Sequence, residues 1–240
     1  MNPSPSCFFV FKATPGVAFF FGPMRMFLVG LVVLLLAANA SAETWRVRVD
    51  AVLDGDTVVL RGGERLRLRG IDAPEIRHGD KPGQYYGQEA KKTLARLVAD
   101  RDVFLDRSEL QTDRYGRMVG AVHLGDGRNV NLLMIEAGAA FAYSHQTDKD
   151  ADFAARLVQA QRLAMSQSKG FWPRILALPK AGNVYVGNKS SKRFHDETCA
   201  TGRRVKPRNR IVFSSLREAF AAGFSPARAC TPWPSARSIQ

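Results

Sequence analysis

The sequence predicts an α+β protein in which a small Greek-key barrel of the OB type is flanked by helices and followed by a small α+β C-terminal domain. Three observations lead to this fold class. Four or five short stretches between residues 45 and 124 have the alternation or β-branched composition of strands, with glycine turns between them. Amphipathic helical stretches are interspersed with these strands and follow them. A linker at 174–183, containing proline and glycine, then precedes a second set of strands.

The barrel strands are predicted from alternating side chains and from the turns between them. From Trp45 to Leu53 apolar residues mostly alternate with charged ones, and Asp54-Gly55 turns the chain into a β-branched run at 57–60. Gly62-Gly63 turns it again into 65–69, where the leucines share one face and three arginines the other. Further strands are predicted at 103–105 and 118–124, and helices at 87–99, 130–137 and 150–166.

The barrel domain is expected to extend over 43–173, and a smaller domain over 184–233. Short strands are indicated around 184–186 and 211–213 by β-branched and aromatic residues. A helix is predicted to begin at Ser215, which forms a capping box with Glu218, and to end at Gly223.

Residues 1–42 have the features of an export signal. They contain no acidic residue, and a short basic stretch around Arg25 precedes an apolar run of 12 residues from Phe27 to Ala38. The small residues Ala40-Ser41-Ala42 form a cleavage site, so cleavage is predicted after Ala42 and the protein is expected to be periplasmic or secreted. A membrane span needs about 20 apolar residues, and anchoring by an uncleaved N-terminal segment is the alternative.

The chain is strongly basic, which bears on its partners. Its 240 residues include 35 Lys and Arg against 22 Asp and Glu, a net charge of +13. This excess favours a polyanionic partner such as nucleic acid or an anionic membrane surface. A hydrophobic content of 45% excludes wholesale disorder, and three cysteines are too few for a small domain built on disulfides.

Carboxylates and arginines are concentrated in the first half of the barrel. Asp56 lies at a turn between strands, and Asp72 and Glu75 follow the next strand, so these three carboxylates can converge at one end of the barrel. Neighbouring carboxylates repel unless a cation lies among them, and oxygen ligands suit Ca²⁺ or Mg²⁺. Arg67 and Arg117 add two guanidiniums, and the set is typical of phosphoryl transfer. Each motif alone is common in structural turns, so the interpretation depends on their joint order.

The motifs in order are Asp54-Gly55-Asp56-Thr57, Arg67, Ile71 to Glu75, Tyr86 to Ala90, Thr112 to Arg117, Val130-Asn131 and Gly138. Over about residues 45–172 this order resembles the staphylococcal nuclease-like (thermonuclease) family. The resemblance implies a five-stranded OB-fold barrel and a Ca²⁺-dependent phosphodiesterase that cleaves DNA and RNA with low sequence specificity. No obligate protein partner is implied, and a monomer is expected.

Matched to the family, three residues would form the metal site and one would be the general base. Asp56 and Asp72 would bind one Ca²⁺ together with the backbone carbonyl of Ala73. The family usually has threonine at the position of Ala73, and the difference is mild if only the carbonyl reaches the metal. Glu75 would position water and accept its proton.

The remaining matched residues would contact the substrate. Arg67 and Arg117 would hold the scissile phosphate. Arg114 stands where lysine is common in the family and keeps the positive charge, and Tyr115 matches a contact to a nucleotide phosphate. Tyr143 falls near a tyrosine that stacks on a base.

His195, Cys199 and Cys230 lie in a run of motifs from Val186 onward that resembles an Ada-type metal-binding domain, in which four Cys or His ligands hold zinc. His195 and Cys199 match the first pair of ligands and Cys230 the last, but Ala227 stands where the third should be. Three protein ligands leave an open position, which is unusual for structural zinc. The missing ligand therefore favours a Cys199–Cys230 disulfide, or a degenerate site, over bound zinc.

Two functions of different classes follow from these patterns. The first is an exported Ca²⁺-dependent nuclease. The second is a non-catalytic module that binds nucleic acid or another polyanion through the basic face of the barrel. Because the chain has all five of the carboxylate and arginine residues that the chemistry needs, the nuclease is favoured.

Overall fold

The barrel and the helices around it are present, which confirms the predicted α+β class. The computed structural model describes residues 43–143, 150–178, 182, 184–228, 230 and 233–236. The strands are β1 (Thr44–Val52), β2 (Thr57–Leu60), β3 (Arg65–Leu68), β4 (Ile71–Asp72), β5 (Asp102–Asp106), β6 (Gln111–Thr112), β7 (Met118–Gly120), β8 (Phe141–Ala142), β9 (Tyr185–Asn188), β10 (Arg193–Asp196), β11 (Arg210–Phe213) and β12 (Ser225–Pro226). The helices are α1 (Gly87–Val98), α2 (Val130–Glu136), α3 (Ala151–Ser166), α4 (Trp172–Leu176), α5 (Ala200–Arg203) and α6 (Leu216–Ala221).

The largest sheet has the strand order β5-β1-β2-β3-β7-β6. β1 pairs antiparallel with both β2 and β5, whereas β3 and β7 are parallel. Beyond β7, His123 forms a β-bridge with Phe104 of β5, with hydrogen bonds of 2.9 Å in both directions. This bridge links the two sides of the sheet, so that β5, β1, β2, β3 and β7 curl around one apolar core.

The strand predicted at 118–124 is shorter in the structure, and β7 ends at Gly120. The cause lies in the backbone groups of Val122. Its N–H donates to the side-chain oxygen of Asn131 at 3.0 Å, and its carbonyl accepts from Val130 N–H at 2.8 Å. Both groups are therefore used by the start of α2, and neither continues the ladder of the sheet.

The alternation predicted along the strands decides which side chains form the core. Val49 on β1 and Leu66 and Leu68 on β3 are almost fully buried in the barrel, and Arg65 and Arg67 lie on the opposite face of β3. α1 packs Ala90 and Leu94 against the same core. The arginine face of β3 is thereby left for the cleft described below.

α3 begins where the sequence predicts and connects the barrel to the C-terminal segment. The Asp150 carboxylate caps it by accepting from Phe153 N–H at 2.9 Å. Gln161 is fully buried: its oxygen accepts from Ala142 N–H of β8 at 2.8 Å, and its amide donates to the carbonyl of Phe220 in α6 at 2.6 Å. One buried side chain thus joins the two parts of the chain.

The C-terminal segment forms a second sheet with the order β11-β9-β10-β12. β10, β12 and α5 are additional to the elements predicted from sequence. The predicted helix is α6, capped by Ser215, whose hydroxyl accepts from Glu218 N–H at 3.1 Å. The Glu218 carboxylate accepts instead from Ser214 N–H, so the capping box is displaced by one residue on that side.

An aromatic cluster lies between this segment and the barrel. It contains Phe141, Phe171 and Trp172 from the residues assigned to the barrel domain, and Phe194, Phe213, Phe220 and Trp233 from the segment that follows. Phe141 stacks on Trp233 with ring centroids 5.3 Å apart, and Phe171 meets Trp233 edge-on at 4.9 Å. The two predicted domains therefore share a hydrophobic core.

Several predictions concern residues outside the described part of the chain. They are the export signal and cleavage site at 1–42 and residues 179–181 and 183 of the linker predicted at 174–183. Residues 174–176 of that predicted linker belong to α4. Among the residues that the structure describes, no helix has both the length and the apolar character needed to cross a bilayer.

Candidate active site

A polar cleft of about 970 Å³ opens on the arginine face of β3. Its walls come from β3, β4, the 111–117 segment and the C-terminal segment. The charged and aromatic residues that line it are Arg65, Arg67, Arg69, Asp72, Glu75, Asp113, Arg114, Tyr115, Arg117, Tyr143, Arg193 and Arg228. It therefore contains Arg67, Asp72, Glu75, Arg117, Arg114, Tyr115 and Tyr143 of the residues predicted from sequence.

Asp56 reaches the edge of this cleft from the turn between β1 and β2. Its backbone carbonyl accepts from Leu68 N–H of β3 at 2.8 Å, which holds the turn beside that strand. The preceding Gly55 packs tightly, since a Cβ there would lie 2.7 Å from the Cβ atoms of both Ala73 and Ala90. The Asp-Gly-Asp turn is thus fixed against both α1 and the segment that carries Asp72.

Arg67 joins the two predicted metal ligands. Its guanidinium lies 2.5 Å from Asp56 Oδ1 and 3.0 Å from Asp72 Oδ1, and it also donates to the carbonyl of Ile71 at 3.1 Å. Asp56 and Asp72 are only 3% and 2% exposed. Two buried carboxylates therefore pair with the same guanidinium, whose positive charge offsets the repulsion between them.

Burial raises the pKa of Asp56 to about 6, although the charge of Arg67 acts in the opposite direction. The charges of Asp54 and Asp72 add to the increase, while Ala73 N–H donates to Asp56 Oδ2 at 3.0 Å and opposes it. A carboxylate in this state is stabilised in its ionised form by additional positive charge. The atoms that Asp56 and Asp72 offer to a metal are carboxylate oxygens, which are ligands preferred by Ca²⁺.

Glu75 is held through its backbone. Gln84 binds it twice: Glu75 N–H donates to Gln84 Oε1 at 2.7 Å, and Gln84 N–H donates to the Glu75 carbonyl at 2.9 Å. Gly87, the first residue of α1, packs directly against Glu75: a Cβ at position 87 would lie 2.3 Å from the Glu75 carbonyl oxygen. Sequence reasoning assigned no role to Gln84. Its position shortly before Tyr86-Gly87, which belong to a family motif, is the sequence feature that could have drawn attention to it.

Arg117 lines the cleft but is paired within its own loop. It contacts Asp113 through two nitrogens at 2.8 and 2.7 Å, and Asp113 also accepts from the backbone N–H groups of Tyr115 and Arg117. Arg114 lies over the ring of Tyr115 at 4.8 Å. The Tyr115 side chain is exposed, with 67% of its surface accessible, which leaves it available to a bound molecule.

Two arginines that sequence reasoning missed enter the cleft from the C-terminal segment. Arg228 contacts Asp72 Oδ1 at 2.9 Å and Glu75 Oε1 at 3.0 Å. Arg193 lies 3.5 Å from Asp72 Oδ2 and stacks over the Tyr143 ring at 3.9 Å. Asp72 lies more than 100 residues before both arginines in sequence, so no local pattern indicated these ion pairs.

His195, Cys199 and Cys230 lie together, and the two cysteines form a disulfide with Cα atoms 5.7 Å apart. His195 is buried, and its Nδ1 lies 3.3 Å from Cys230 Sγ. Burial lowers the pKa of His195. In this oxidised state the cysteines have no thiolate for a metal.

Comparison with known proteins identifies a matching family and several relatives. The family described as "Staphylococcal nuclease homologue" matches residues 65–174. An "Uncharacterized endonuclease" of Escherichia coli O157:H7 is 40% identical over 129 residues, which cover 52% of this chain and 75% of that protein.

Two further relatives have names that describe their activity. A "Micrococcal nuclease" of Shigella flexneri is 35% identical over 172 residues, covering 67% of this chain and 90% of the relative. A "Thermonuclease" of Staphylococcus hyicus is 32% identical over 138 residues, covering 56% of this chain and 79% of the relative. The chain therefore belongs to the staphylococcal nuclease-like family.

Proposed function

We propose that this nuclease is an exported, Ca²⁺-dependent enzyme that hydrolyses phosphodiester bonds in DNA and RNA with low sequence specificity, and that it acts as a monomer. One observation carries the proposal: Asp56 and Asp72 are held by the same Arg67 guanidinium at the edge of a cleft that also contains Glu75 and Arg117. Family membership supports the reaction, and the residues in the cleft support its details.

The residues at the edge of the cleft fit a hard divalent cation. Asp56 and Asp72 would hold Ca²⁺ together with the carbonyl of Ala73, because all three offer oxygen ligands and the two carboxylates lie close enough to share one cation. When bound, the ion supplies positive charge that stabilises the phosphoryl oxygens as negative charge increases on them.

The side chains of the cleft supply the remaining chemistry. Glu75, about one-third exposed, would accept a proton from water as the water oxygen bonds to phosphorus and one ester P–O bond breaks. Arg67 and Arg117 would donate to the phosphate oxygens, which carry more negative charge in the transition state than in the substrate. Asp113 orients Arg117 through two hydrogen-bonded nitrogens, so that the guanidinium is positioned before substrate binds.

Low sequence specificity follows from what the cleft offers to a polynucleotide. Its lining is rich in guanidiniums, which recognise phosphates, and phosphates are the same at every nucleotide of DNA and RNA. Exposed Tyr115 adds an aromatic surface, and stacking on a base depends little on which base it is. Arg114 would add a further phosphate contact beside it.

The proposal is tested by hydrolysis of plasmid and single-stranded DNA by the purified protein, with added Ca²⁺ or with a chelator. Cleavage is expected with Ca²⁺ and is expected to disappear with the chelator and in Asp56→Asn, which removes a metal-binding charge. Asp126→Asn, the same change at an exposed turn where Asp126 pairs with Arg128, is the control and should cleave like the wild type.

Two other results would each have a clear meaning. Cleavage that is unaffected by the chelator would refute the calcium dependence. Salt-sensitive DNA binding without any cleavage, unchanged in Asp56→Asn, would favour the non-catalytic binding module.

Export is supported by the sequence of residues 1–42, in which a short basic stretch, an apolar run and Ala40-Ser41-Ala42 follow in the order of a cleavable signal. The N-terminal residue of protein recovered from outside the cytoplasm is therefore expected to be Glu43. Recovery of an intact N-terminus in the membrane fraction would instead support the anchored alternative.

A further inference from the structure

The cleft of the barrel is completed by side chains from another part of the chain. Arg193 at the start of β10 and Arg228 after β12 both extend into it. Arg228 reaches Asp72 and Glu75 through one nitrogen, Nη2, at 2.9 and 3.0 Å. Arg193 reaches Asp72 at 3.5 Å. The C-terminal segment thus contacts both a predicted metal ligand and the predicted general base.

The fold fixes the backbone on both sides of these arginines. β10 pairs parallel with β12, which brings Arg193 beside Ser225, and Ala227 N–H donates to the Phe194 carbonyl at 2.8 Å. Two residues after Arg228, Cys230 is joined to Cys199 by the disulfide.

The chain beyond the disulfide is anchored to the barrel. The indole N–H of Trp233 donates to the Tyr85 carbonyl at 2.8 Å, and Tyr85 N–H donates to the Pro234 carbonyl at 2.8 Å. Tyr85 follows Gln84, the residue that holds Glu75. Arg228 therefore lies on a segment attached to the same wall of the cleft as the general base.

The charges in the cleft indicate a ligand for these arginines. Asp56, Asp72 and Glu75 carry three negative charges when ionised, and the barrel guanidinium described in contact with them is Arg67, while Arg117 is paired with Asp113. Arg193 and Arg228 raise the positive charges at this point from one to three. The three guanidiniums then balance the three carboxylates, and one bound Ca²⁺ would give the cleft an excess of positive charge, which suits an anion.

The exposure of Arg228 also supports an anionic ligand. Its side chain is 56% exposed, and a guanidinium has five N–H donors arranged to bind phosphate oxygens in pairs. The contacts of Arg193 to Asp72, Ser225 and the Pro226 carbonyl are all made by Nη1, and the ring of Tyr143 supports its guanidinium from one face.

We propose that Arg193 and Arg228 bind backbone phosphates of the polynucleotide, so that the C-terminal segment is part of the substrate-binding cleft. This inference rests on the proposed nuclease function. It assigns the segment a direct role in substrate binding, in addition to its contribution to the hydrophobic core.

The test compares Arg228→Gln and Arg193→Gln with Arg217→Gln, which removes the same charge from an exposed position on α6 outside the cleft lining. Each variant is assayed for the KM and kcat of single-stranded DNA cleavage with Ca²⁺. DNA affinity is measured separately by fluorescence anisotropy in chelator over a range of salt concentrations. Thermal unfolding checks that each variant is folded, and Arg228→Lys tests whether a positive charge alone suffices.

We expect Arg228→Gln to weaken DNA affinity and raise KM by about tenfold, the effect of losing one charged hydrogen bond to phosphate. The slope of log affinity against log salt should fall by about 1. Arg193→Gln should act in the same direction, Arg228→Lys should recover part of the affinity, and Arg217→Gln should match the wild type.

The outcomes separate this inference from the proposed function. If the wild type cleaves DNA with Ca²⁺ but Arg228→Gln and Arg193→Gln behave like Arg217→Gln, the inference is wrong and the nuclease function stands. Tighter DNA binding or faster cleavage in Arg228→Gln would also overturn it, because the arginine would then obstruct the cleft. A wild-type protein that binds DNA without cleaving it would contradict the proposed function, while the affinity measurements would still test the two arginines.

Discussion

Replacing Glu75 with glutamine is expected to reduce DNA hydrolysis by about 10²- to 10⁴-fold, the usual contribution of a general base. Glutamine has the same shape but cannot accept the proton from water. The backbone contacts that hold position 75, to Gln84 and against Gly87, do not involve the side-chain charge, so the variant should fold normally. DNA affinity in chelator should be retained or slightly increased, because one negative charge has been removed from the cleft. The measurement is the single-turnover rate of cleavage with Ca²⁺.

The matched control for this change is Glu136→Gln, an identical substitution at an exposed residue at the end of α2. It should cleave DNA at the wild-type rate. If Glu75→Gln kept more than about a tenth of the wild-type rate, Glu75 would not be the general base, since such a small loss is below what proton transfer contributes.

Replacing Arg67 with glutamine is expected to impair both stability and activity. Asp56 and Asp72 are almost fully buried and both pair with this guanidinium. Its removal takes away the positive charge that pairs with Asp56, whereas Asp72 keeps its contacts with Arg193 and Arg228. Breaking a buried pair from one side typically costs about 3–5 kcal/mol. The cost should fall as the pH drops, because the pKa of Asp56 is already raised to about 6 by burial and its protonated form carries no charge to compensate.

Thermal unfolding at pH 5 and pH 8, with and without Ca²⁺, measures this effect. Arg67→Gln should be destabilised more at pH 8 than at pH 5, and Ca²⁺ should raise its unfolding temperature more than that of the wild type. DNA cleavage should remain strongly reduced, since the phosphate has lost a donor. The control is Arg46→Gln, which breaks an exposed pair with Asp102 and should cost at most about 1 kcal/mol. Equal behaviour of the two variants would show that Arg67 is not the counterion of the two carboxylates.

Much of the fold could be predicted because local patterns determine it. The alternation in β1 and β3, the Asp-Gly turn before β2 and the apolar stripes of α1 and α3 all depend on neighbouring residues in the sequence. β7 was predicted too long because the backbone N–H of Val122 donates to the Asn131 side chain instead of to another strand. A hydrogen bond of this kind does not change the pattern of apolar residues from which the strand was predicted. β10 was missed because Arg193, His195 and Asp196 make it polar, although the packing buries two of them.

The residues of the candidate site also fall into those that the sequence could predict and those that it could not. Asp56, Arg67, Asp72 and Glu75 lie within 20 residues of one another, and the turn and strands between them bring them together. The approach of Arg193 and Arg228 depends on how two sheets pack, through the aromatic cluster and the buried amide of Gln161. Such contacts are set by tertiary structure, and charge alone could not distinguish these two arginines from the many exposed ones.

The aromatic cluster has a consequence for how this protein can be divided. Phe141, Phe171 and Trp172 come from the nuclease part of the chain, yet their cover comes from Phe194, Phe220 and Trp233. A fragment ending near residue 176 would expose these aromatic rings to water and carry a surface prone to self-association. The C-terminal segment is therefore unsuited to removal by truncation. A fusion protein that contains this barrel would need either to keep the segment or to have the aromatic surface beneath it redesigned.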